Sequence, residues 1–184
     1  MTSPMPGGRR RVDRVLTPEF AADLETLPLD EVRRRRREAE QEEADLSYLR
    51  RMLHGRMDIV RAEQRRRSDD GEGSVVDQLA EILADPSRST RGLGRHLSVE
   101  PSRVDEHRRA PEQAISDSFL SDVAARSDEE LAEALVRLAE HEEEVSRVRT
   151  QVQHVADAFS AEIARRYRDG SASVDELLAR GMPE

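Results

Sequence analysis

Five polar residues of different chemistry recur along the segment EEEVSRVRTQVQHVAD, residues 142–157. Their spacing of four, three, four and four residues places them on one face of an α-helix; they are Glu142, Ser146, Arg149, Gln153 and Asp157. Arginine offers a planar fork that grips phosphate or the O6/N7 edge of guanine, and carboxylates accept hydrogen bonds from the N–H donors of guanine. Serine and glutamine add adaptable donors and acceptors. These residue types fit a ligand that contains guanine and phosphate, although a single stripe of this kind is more often a solvated helix face.

The same stripe occurs a second time, 99 residues earlier in the chain. Four of its five positions are identical, and the exception has histidine in place of glutamine; the earlier copy consists of Glu43, Ser47, Arg50, His54 and Asp58. The helix ends correspond as well, since Arg66-Arg67 falls on Arg165-Arg166 at the same offset. A constant offset without a gap indicates an internal duplication.

Each polar stripe is accompanied by an apolar seam with the three-four spacing of a coiled coil. The seam residues are Leu46, Leu49, Leu53, Met57 and Val60 in the first copy and Val145, Val148, Val152, Val155 and Phe159 in the second. The centre of a seam lies roughly 120° around the helix from the centre of its stripe. Antiparallel pairing through the seams would bring the two stripes to one side of a hairpin, so the site and its ligand should be pseudo-twofold.

The rest of the chain predicts an all-α fold, a long antiparallel two-helix coiled-coil hairpin with short flanking helices and flexible linkers. Residues 1–15, rich in Pro, Gly and Arg, are interpreted as a disordered tail, and residues 16–184 as a single elongated helical domain. Ser127 and Glu130 form a capping box at the start of the second long helix. The expected elements are a short helix from Thr17 (18–25), a long helix (28–67), a short helix (74–85), a linker (86–112), a short helix (115–125), a long helix (127–168) and a C-terminal helix (173–180).

Composition excludes several classes of protein. Only 36% of the residues are hydrophobic and 3% aromatic, which disfavours a thick core, and the absence of cysteine excludes disulfides and thiolate metal sites. No apolar run approaches the roughly 20 residues of a membrane span, and the first residues do not resemble a signal peptide, so we expect a cytoplasmic protein without a membrane partner. The net charge of −9 argues against direct DNA binding. No metal cluster or catalytic motif is evident, so we expect no enzymatic activity.

The duplicated pattern Glu-x3-Ser-x2-Arg-x3-Gln-x3-Asp resembles the signature of the RsiG family of actinobacterial anti-sigma factors. The resemblance implies an antiparallel coiled coil that binds a dimer of cyclic di-GMP and then holds a sporulation sigma factor of the WhiG type inactive. It implies ligand contacts from Glu43, Ser47, Arg50, Asp58, Glu142, Ser146, Arg149, Gln153 and Asp157. His54 departs from the family's glutamine: an imidazole can form one such hydrogen bond but lacks the paired groups of an amide. The contacts with sigma are expected on the flanking helices, residues 18–25 and 74–85.

Two other interpretations remain open. In the first, the chain is a nucleotide-independent coiled-coil scaffold or oligomerisation module, for which changes in the stripes would be harmless and changes in the seams would unfold the protein. In the second, it is an enzyme acting on a cyclic dinucleotide, which the lack of an evident general base disfavours. The arginine run 33–37 is flanked by Glu31, Glu38 and Glu40 on a helix and is more typical of a salt-bridged surface than of a nucleic-acid site.

Overall fold

The computed structural model describes residues 4–5, 7–68 and 123–170, and within these ranges it is helical without β-strands. Helix α1 spans Arg11–Val15, α2 spans Pro18–Ala21, α3 spans Leu29–Ser68 and α4 spans Asp128–Arg168. The all-α prediction is confirmed, and each end of α3 and α4 falls within one residue of its predicted position. The predicted elements at 74–85, 86–112 and 173–180 lie outside the described residues, as does most of the helix expected at 115–125.

Local sequence explains where α4 begins and ends. The Ser127 Oγ accepts a hydrogen bond from the Glu130 N–H over 3.2 Å, and Glu130 accepts one from the Ser127 N–H over 2.8 Å. This is the predicted capping box, which satisfies two N–H groups that have no partner inside the helix. Beyond the last turn, Gly170 has a φ of +73°, a left-handed conformation that glycine adopts without a steric penalty.

The chain divides into two compact units, and both long helices run through both of them. The first unit comprises described residues 44–68 and 123–147, and the second comprises described residues 4–43 and 148–170. Within the first unit the end of α3 meets the start of α4, where Arg67 Nη1 lies 2.8 Å from Asp128 Oδ1. Within the second unit the start of α3 meets the end of α4, where Arg33 donates to the Tyr167 hydroxyl. The two helices therefore pair antiparallel, as the hairpin prediction requires.

Apolar side chains at three-four spacing fill the contact between α3 and α4. All five predicted seam residues of α3 are buried, and so are Val145, Val148, Val152 and Phe159 of α4. Val155 is only half-buried, and its neighbour Ala156 is buried at 7% exposure. The strict heptad spacing was therefore wrong at this position, because a helix with 3.6 residues per turn drifts relative to a 3.5-residue repeat.

The N-terminal segment packs more closely than its composition indicated. The disordered tail predicted for residues 1–15 is wrong for Arg11–Val15, which form α1 and bury Val12 and Val15 at 4% and 0% exposure; residues 1–3 and 6 lie outside the described residues. The Asp13 carboxylate accepts hydrogen bonds from the backbone N–H groups of Met5 and Arg10 and from the Arg10 guanidinium. Burial of two valines and this local network order a stretch that Pro, Gly and Arg content alone marks as a tail.

Helix α2 is shorter than the predicted 18–25 and is anchored by one aromatic contact. Thr17 precedes it and Pro18 occupies its first turn, as predicted, although the Thr17 side chain makes no capping hydrogen bond. Phe20 packs edge-to-face against Phe159 with ring centroids 5.6 Å apart. Because Phe20 is only 6% exposed, α2 presents little of its apolar surface to a partner.

Candidate functional site

Every residue of the two predicted stripes is half-buried or exposed, whereas the seams are largely buried. In the first unit Ser47, Arg50 and Asp58 are half-buried and His54 is exposed; in the second unit Gln153 and Asp157 are exposed. The remaining members, Glu43, Glu142, Ser146 and Arg149, are half-buried. The separation of stripe and seam predicted from helical periodicity is therefore present on both helices.

Glu142 is the centre of a cluster in the first unit, which we call the first half-site. Its Oε1 atom accepts a hydrogen bond from Arg50 Nε over 2.7 Å and from the Ser146 hydroxyl over 2.7 Å. His54 Nε2 lies 3.1 Å from the same oxygen. Three motif positions thus meet on one carboxylate, two of them on α3 and one on α4.

The electrostatics of this cluster hold Glu142 ionised. Partial burial acts to raise the pKa of the Glu142 carboxyl, but hydrogen bonds from Ser146, His54 and Arg50 outweigh burial and lower the pKa from 4.5 to about 2. The half-site therefore presents a carboxylate and a guanidinium at any pH near neutrality. A carboxylate fixed in this state can accept N–H groups of a base but cannot act as a general acid near neutrality.

The second half-site, in the second unit, is built on Glu43 and Arg149. Arg149 Nη1 donates to Glu43 Oε1 over 2.8 Å, while 27% of the Arg149 side chain remains exposed. The Nε atom of Arg149 is buried and has no hydrogen-bond acceptor among the described residues. Gln153 and Asp157 follow on the next turns of α4 and are exposed to solvent.

The two half-sites use the same pair of motif positions with the helices exchanged. Arg50 of α3 pairs with Glu142 of α4, and Arg149 of α4 pairs with Glu43 of α3. The duplication makes Arg50 equivalent to Arg149 and Glu43 equivalent to Glu142, so each unit contains one equivalent ion pair between the helices. Within each unit, these reciprocal pairs join the two copies of the motif.

His54 differs from its counterpart Gln153 in what it contacts. His54 is hydrogen-bonded to Glu142, whereas Gln153 extends from the exposed face of α4. His54 is therefore the third group on the Glu142 carboxylate in the first half-site, beside Arg50 and Ser146. Asp58 lies one turn further along α3, with Oδ1 3.3 Å from Arg61 Nη1.

Several buried charged residues were not singled out from the sequence. Glu63 and Glu162 are exposed at only 1% and 6%, and each accepts hydrogen bonds from two arginines that follow it on the same helix. The signal that identifies them is the same 99-residue offset that relates the stripes. Their role is considered below.

Residues 4–5, 7–68 and 123–170 were compared with the requirements of a metal-binding group and of a membrane-spanning helix. No group of three or more histidine, aspartate or glutamate side chains is arranged there to hold a metal ion. None of the helices described between residues 4 and 170 is long and apolar enough to cross a membrane.

A family of known proteins matches this chain over two ranges. The model of the RsiG-like family matches residues 18–83 and 117–181, two ranges that begin 99 residues apart and together cover well over half of the chain. The matched ranges contain both stripes, both seams and α2. No curated protein matches the chain significantly.

Proposed function

The chain belongs to the RsiG-like family of anti-sigma factors, and from this premise we propose that it binds cyclic di-GMP on its two stripes and then sequesters a sigma factor of the WhiG type. In this proposal the ligand is a dimer of cyclic di-GMP, and the ten stripe residues contact it. The nucleotide acts as a regulatory ligand and undergoes no reaction.

The observation that carries the proposal is the occurrence of two reciprocal ion pairs on the stripes. Arg50 with Glu142 and Arg149 with Glu43 present, in each half-site, one guanidinium and one carboxylate from opposite helices. Guanine offers acceptors at O6 and N7 and donors at N1 and N2, and the phosphodiester adds anionic oxygens, so the residues present fit a guanine nucleotide. A ligand made of identical halves can use the same group set twice.

Nucleotide binding would use side chains that already pair with each other but keep part of their hydrogen-bonding capacity. The Arg50 side chain is 42% exposed and donates to Glu142 through Nε. A guanidinium has five donors, so contacts with phosphate or guanine can be added while the carboxylate remains paired. This arrangement pre-organises the charges and lowers the ordering cost of ligand binding.

The sigma factor would then recognise a protein whose two helices are held by the ligand. Binding free energies are linked, so a nucleotide that tightens sigma binding is itself bound more tightly in the presence of sigma, by the same factor. The net charge of −9 supports association with basic surfaces, such as those that sigma factors use toward DNA. Of the sigma contacts predicted from the sequence, α2 is packed by Phe20 against Phe159, and residues 74–85 lie outside the described chain.

The direct test is calorimetric titration of the purified protein with cyclic di-GMP. We expect saturable binding of two nucleotides per chain that is abolished in the Arg50→Ala, Arg149→Ala double variant. The matched control is Arg37→Ala, Arg147→Ala, which removes two exposed arginines from the same helices, roughly 100–120° away from the stripe centres. The control should bind like the wild type, and circular dichroism should give the same helix content for all three proteins.

Sigma binding is tested by pull-down of a WhiG-type sigma factor with and without the nucleotide. Capture that requires cyclic di-GMP supports the full proposal. If neither the protein alone nor its mixture with sigma binds the nucleotide, the proposed ligand is wrong.

A nucleotide-independent scaffold is the alternative function, and the internal pairing of the stripe residues favours it. If the Arg–Glu pairs serve only to join the helices, the stripe variants should lose stability without any binding activity to lose. Seam variants such as Leu53→Ala would then be the ones that abolish assembly, since Leu53 is 1% exposed.

A further inference from the structure

A buried carboxylate and two arginines form a compact cluster near the end of α3. Glu63 accepts hydrogen bonds from Arg66 through Nε and Nη2, over 2.9 and 2.8 Å, and from Arg67 through Nε over 2.7 Å. The Glu63 side chain is 1% exposed. Burying a carboxylate is unfavourable unless it is paired, and here two guanidinium groups supply the pairing.

Only one of the two arginines also contacts the chain that leads into α4. Arg67 Nη2 donates to the backbone carbonyls of Val123 and Ala124, over 3.3 and 3.1 Å, and Arg67 Nη1 lies 2.8 Å from Asp128 Oδ1. Arg66 has no contact of this kind among the described residues. We call Glu63, Arg66 and Arg67 the first clamp, with Arg67 as its spanning arginine.

The second unit contains the same cluster at the end of α4. Glu162 accepts hydrogen bonds from Arg165 through Nε and Nη2, both over 2.8 Å, and from Arg166 Nε over 2.6 Å. The spanning residue is Arg166, which is 8% exposed. Its terminal nitrogens donate to backbone carbonyls that precede α3; these belong to Leu24, Glu25 and Leu27, over 2.9, 3.1 and 2.7 Å. We call this cluster the second clamp.

The donors and the acceptors of the two clamps are related by the same offset of 99 residues. Moving the first clamp by 99 residues gives the second, and moving the Leu24 and Glu25 carbonyls by the same offset gives those of Val123 and Ala124. In each case a spanning arginine ties the end of one long helix to the segment that enters the other. A local salt bridge on a helix surface would not reproduce the acceptors as well as the donors.

An apolar seam by itself does not determine how two helices are aligned along their axes. Displacement by one heptad, about 10 Å, returns apolar residues to the seam but moves Arg50 away from Glu142. Side-chain contacts at fixed points along the helices must exclude such alternatives. The carbonyls held by the spanning arginines are fixed points of this kind, because they belong to the backbone beside each helix start.

We propose that the Glu-x2-Arg-Arg clusters are positioning clamps that set the axial register of α3 and α4 in each unit and so bring motif arginine and motif glutamate together. The part of this inference that concerns the ligand rests on the proposed function; the part that concerns register does not. Arg67 and Arg166 are positioning residues, since neither belongs to a stripe.

Register can be measured directly because the chain has no cysteine of its own. Nitroxide labels at Arg51→Cys and Glu140→Cys report on the first unit, and labels at Arg37→Cys and His154→Cys on the second, through the spin–spin distances in double electron–electron resonance. All four positions are exposed. In a protein with unaltered clamps, each pair of labels should give one narrow distribution of spin–spin distances.

The decisive comparison is between the two arginines of one clamp. Arg67→Ala should broaden the first-unit distribution or add a second distance from molecules whose helices have slipped axially by about 10 Å, and it should lower the melting temperature by about 5 °C. Arg66→Ala, which removes the same charge beside the same carboxylate, should keep the narrow distribution. Arg166→Ala and Arg165→Ala form the matched pair in the second unit. Equal behaviour of Arg66→Ala and Arg67→Ala overturns the proposal.

If Arg67→Ala does not fold, lysine variants test the same proposal. Arg67→Lys keeps a cation beside Glu63 but lacks the fork that reaches two carbonyls, so it should still broaden the distribution, whereas Arg66→Lys should not. With the nucleotide, Arg67→Lys, Arg166→Lys should weaken cyclic di-GMP binding by about tenfold. If the wild type binds no cyclic di-GMP, the proposed ligand is wrong, while the distance measurements still decide whether the clamps set the register.

Discussion

Removing the Arg50–Glu142 pair should weaken nucleotide binding more than it weakens the fold. Arg50 Nε lies 2.7 Å from Glu142 Oε1, but 42% of the Arg50 side chain and 20% of the Glu142 side chain are exposed. Because water screens a pair of this exposure, we expect it to contribute about 0.5–1 kcal/mol to the free energy of unfolding. The change is made with Arg50→Ala, Glu142→Gln and the double variant.

The two substitutions should lower the free energy of unfolding by different amounts, because Glu142 has more hydrogen-bond partners than Arg50. Glu142→Gln also weakens the hydrogen bonds from Ser146 and His54, so it should cost about 1–2 kcal/mol, or about 2–8 °C in melting temperature. Arg50→Ala removes one partner and should cost about 0.5–1 kcal/mol. For cyclic di-GMP, loss of one forked guanidinium contact is expected to weaken binding by about 1–3 kcal/mol, about 5- to 150-fold.

Urea unfolding followed by circular dichroism gives the coupling energy of the pair, and calorimetry on the same four proteins gives nucleotide affinity. Arg147→Ala serves as the control, since it removes an exposed arginine of α4 away from the stripe. A coupling energy of about 3 kcal/mol or more, with affinity unchanged in Arg50→Ala, would refute the reasoning. The pair would then be a structural element of the hairpin.

Four further outcomes are expected. Phe159→Ala should lower the free energy of unfolding by about 3–5 kcal/mol in thermal or urea denaturation, because this fully buried ring leaves a cavity. Ser127→Ala should cost about 0.5–2 kcal/mol in the same assay and Thr17→Ala less, because only Ser127 makes a capping hydrogen bond. His54→Gln, which restores the paired amide groups, should tighten cyclic di-GMP binding by about 3- to 10-fold in calorimetry. The pKa of the Glu142 carboxyl is lowered to about 2, so the ionised carboxylate contributes its full stabilisation of the fold above about pH 4.5 and loses it as the pH falls through 2. The free energies of unfolding of the wild type and of Glu142→Gln, measured by urea titration at stepped pH, should therefore converge as the pH is lowered over that window.

The features that follow from spacing along one helix were predictable from the sequence. The three-four seam identified Leu53 and Phe159 as buried, and the four-three-four-four stripe placed Arg50 and Arg149 on another face. The capping box at Ser127 is likewise a local pattern, since both of its hydrogen bonds join residues three apart. Helical periodicity and capping act within a few residues, and a sequence displays them directly.

Contacts between distant residues were not predictable in the same way. The carbonyls held by Arg166 lie about 140 positions earlier in the chain, and nothing local marks them as its acceptors. The burial of Val12 and Val15 in α1 similarly depends on packing that the composition of residues 1–15 does not reveal. The reciprocal pairing of Arg50 with Glu142 and of Arg149 with Glu43 likewise joins residues about 100 positions apart, so it required the three-dimensional structure.

The packing of α1 has a practical consequence for anyone who shortens this protein. Residues 1–15 are the kind of arginine- and proline-containing leader that is commonly removed before purification or crystallisation. Here such trimming would delete two buried valines, together with Arg11, whose Nη1 lies 3.6 Å from the carboxylate of Glu42, and Arg14, which pairs with Glu38 on α3. A protein starting at residue 16 should therefore melt at a lower temperature and expose part of α3.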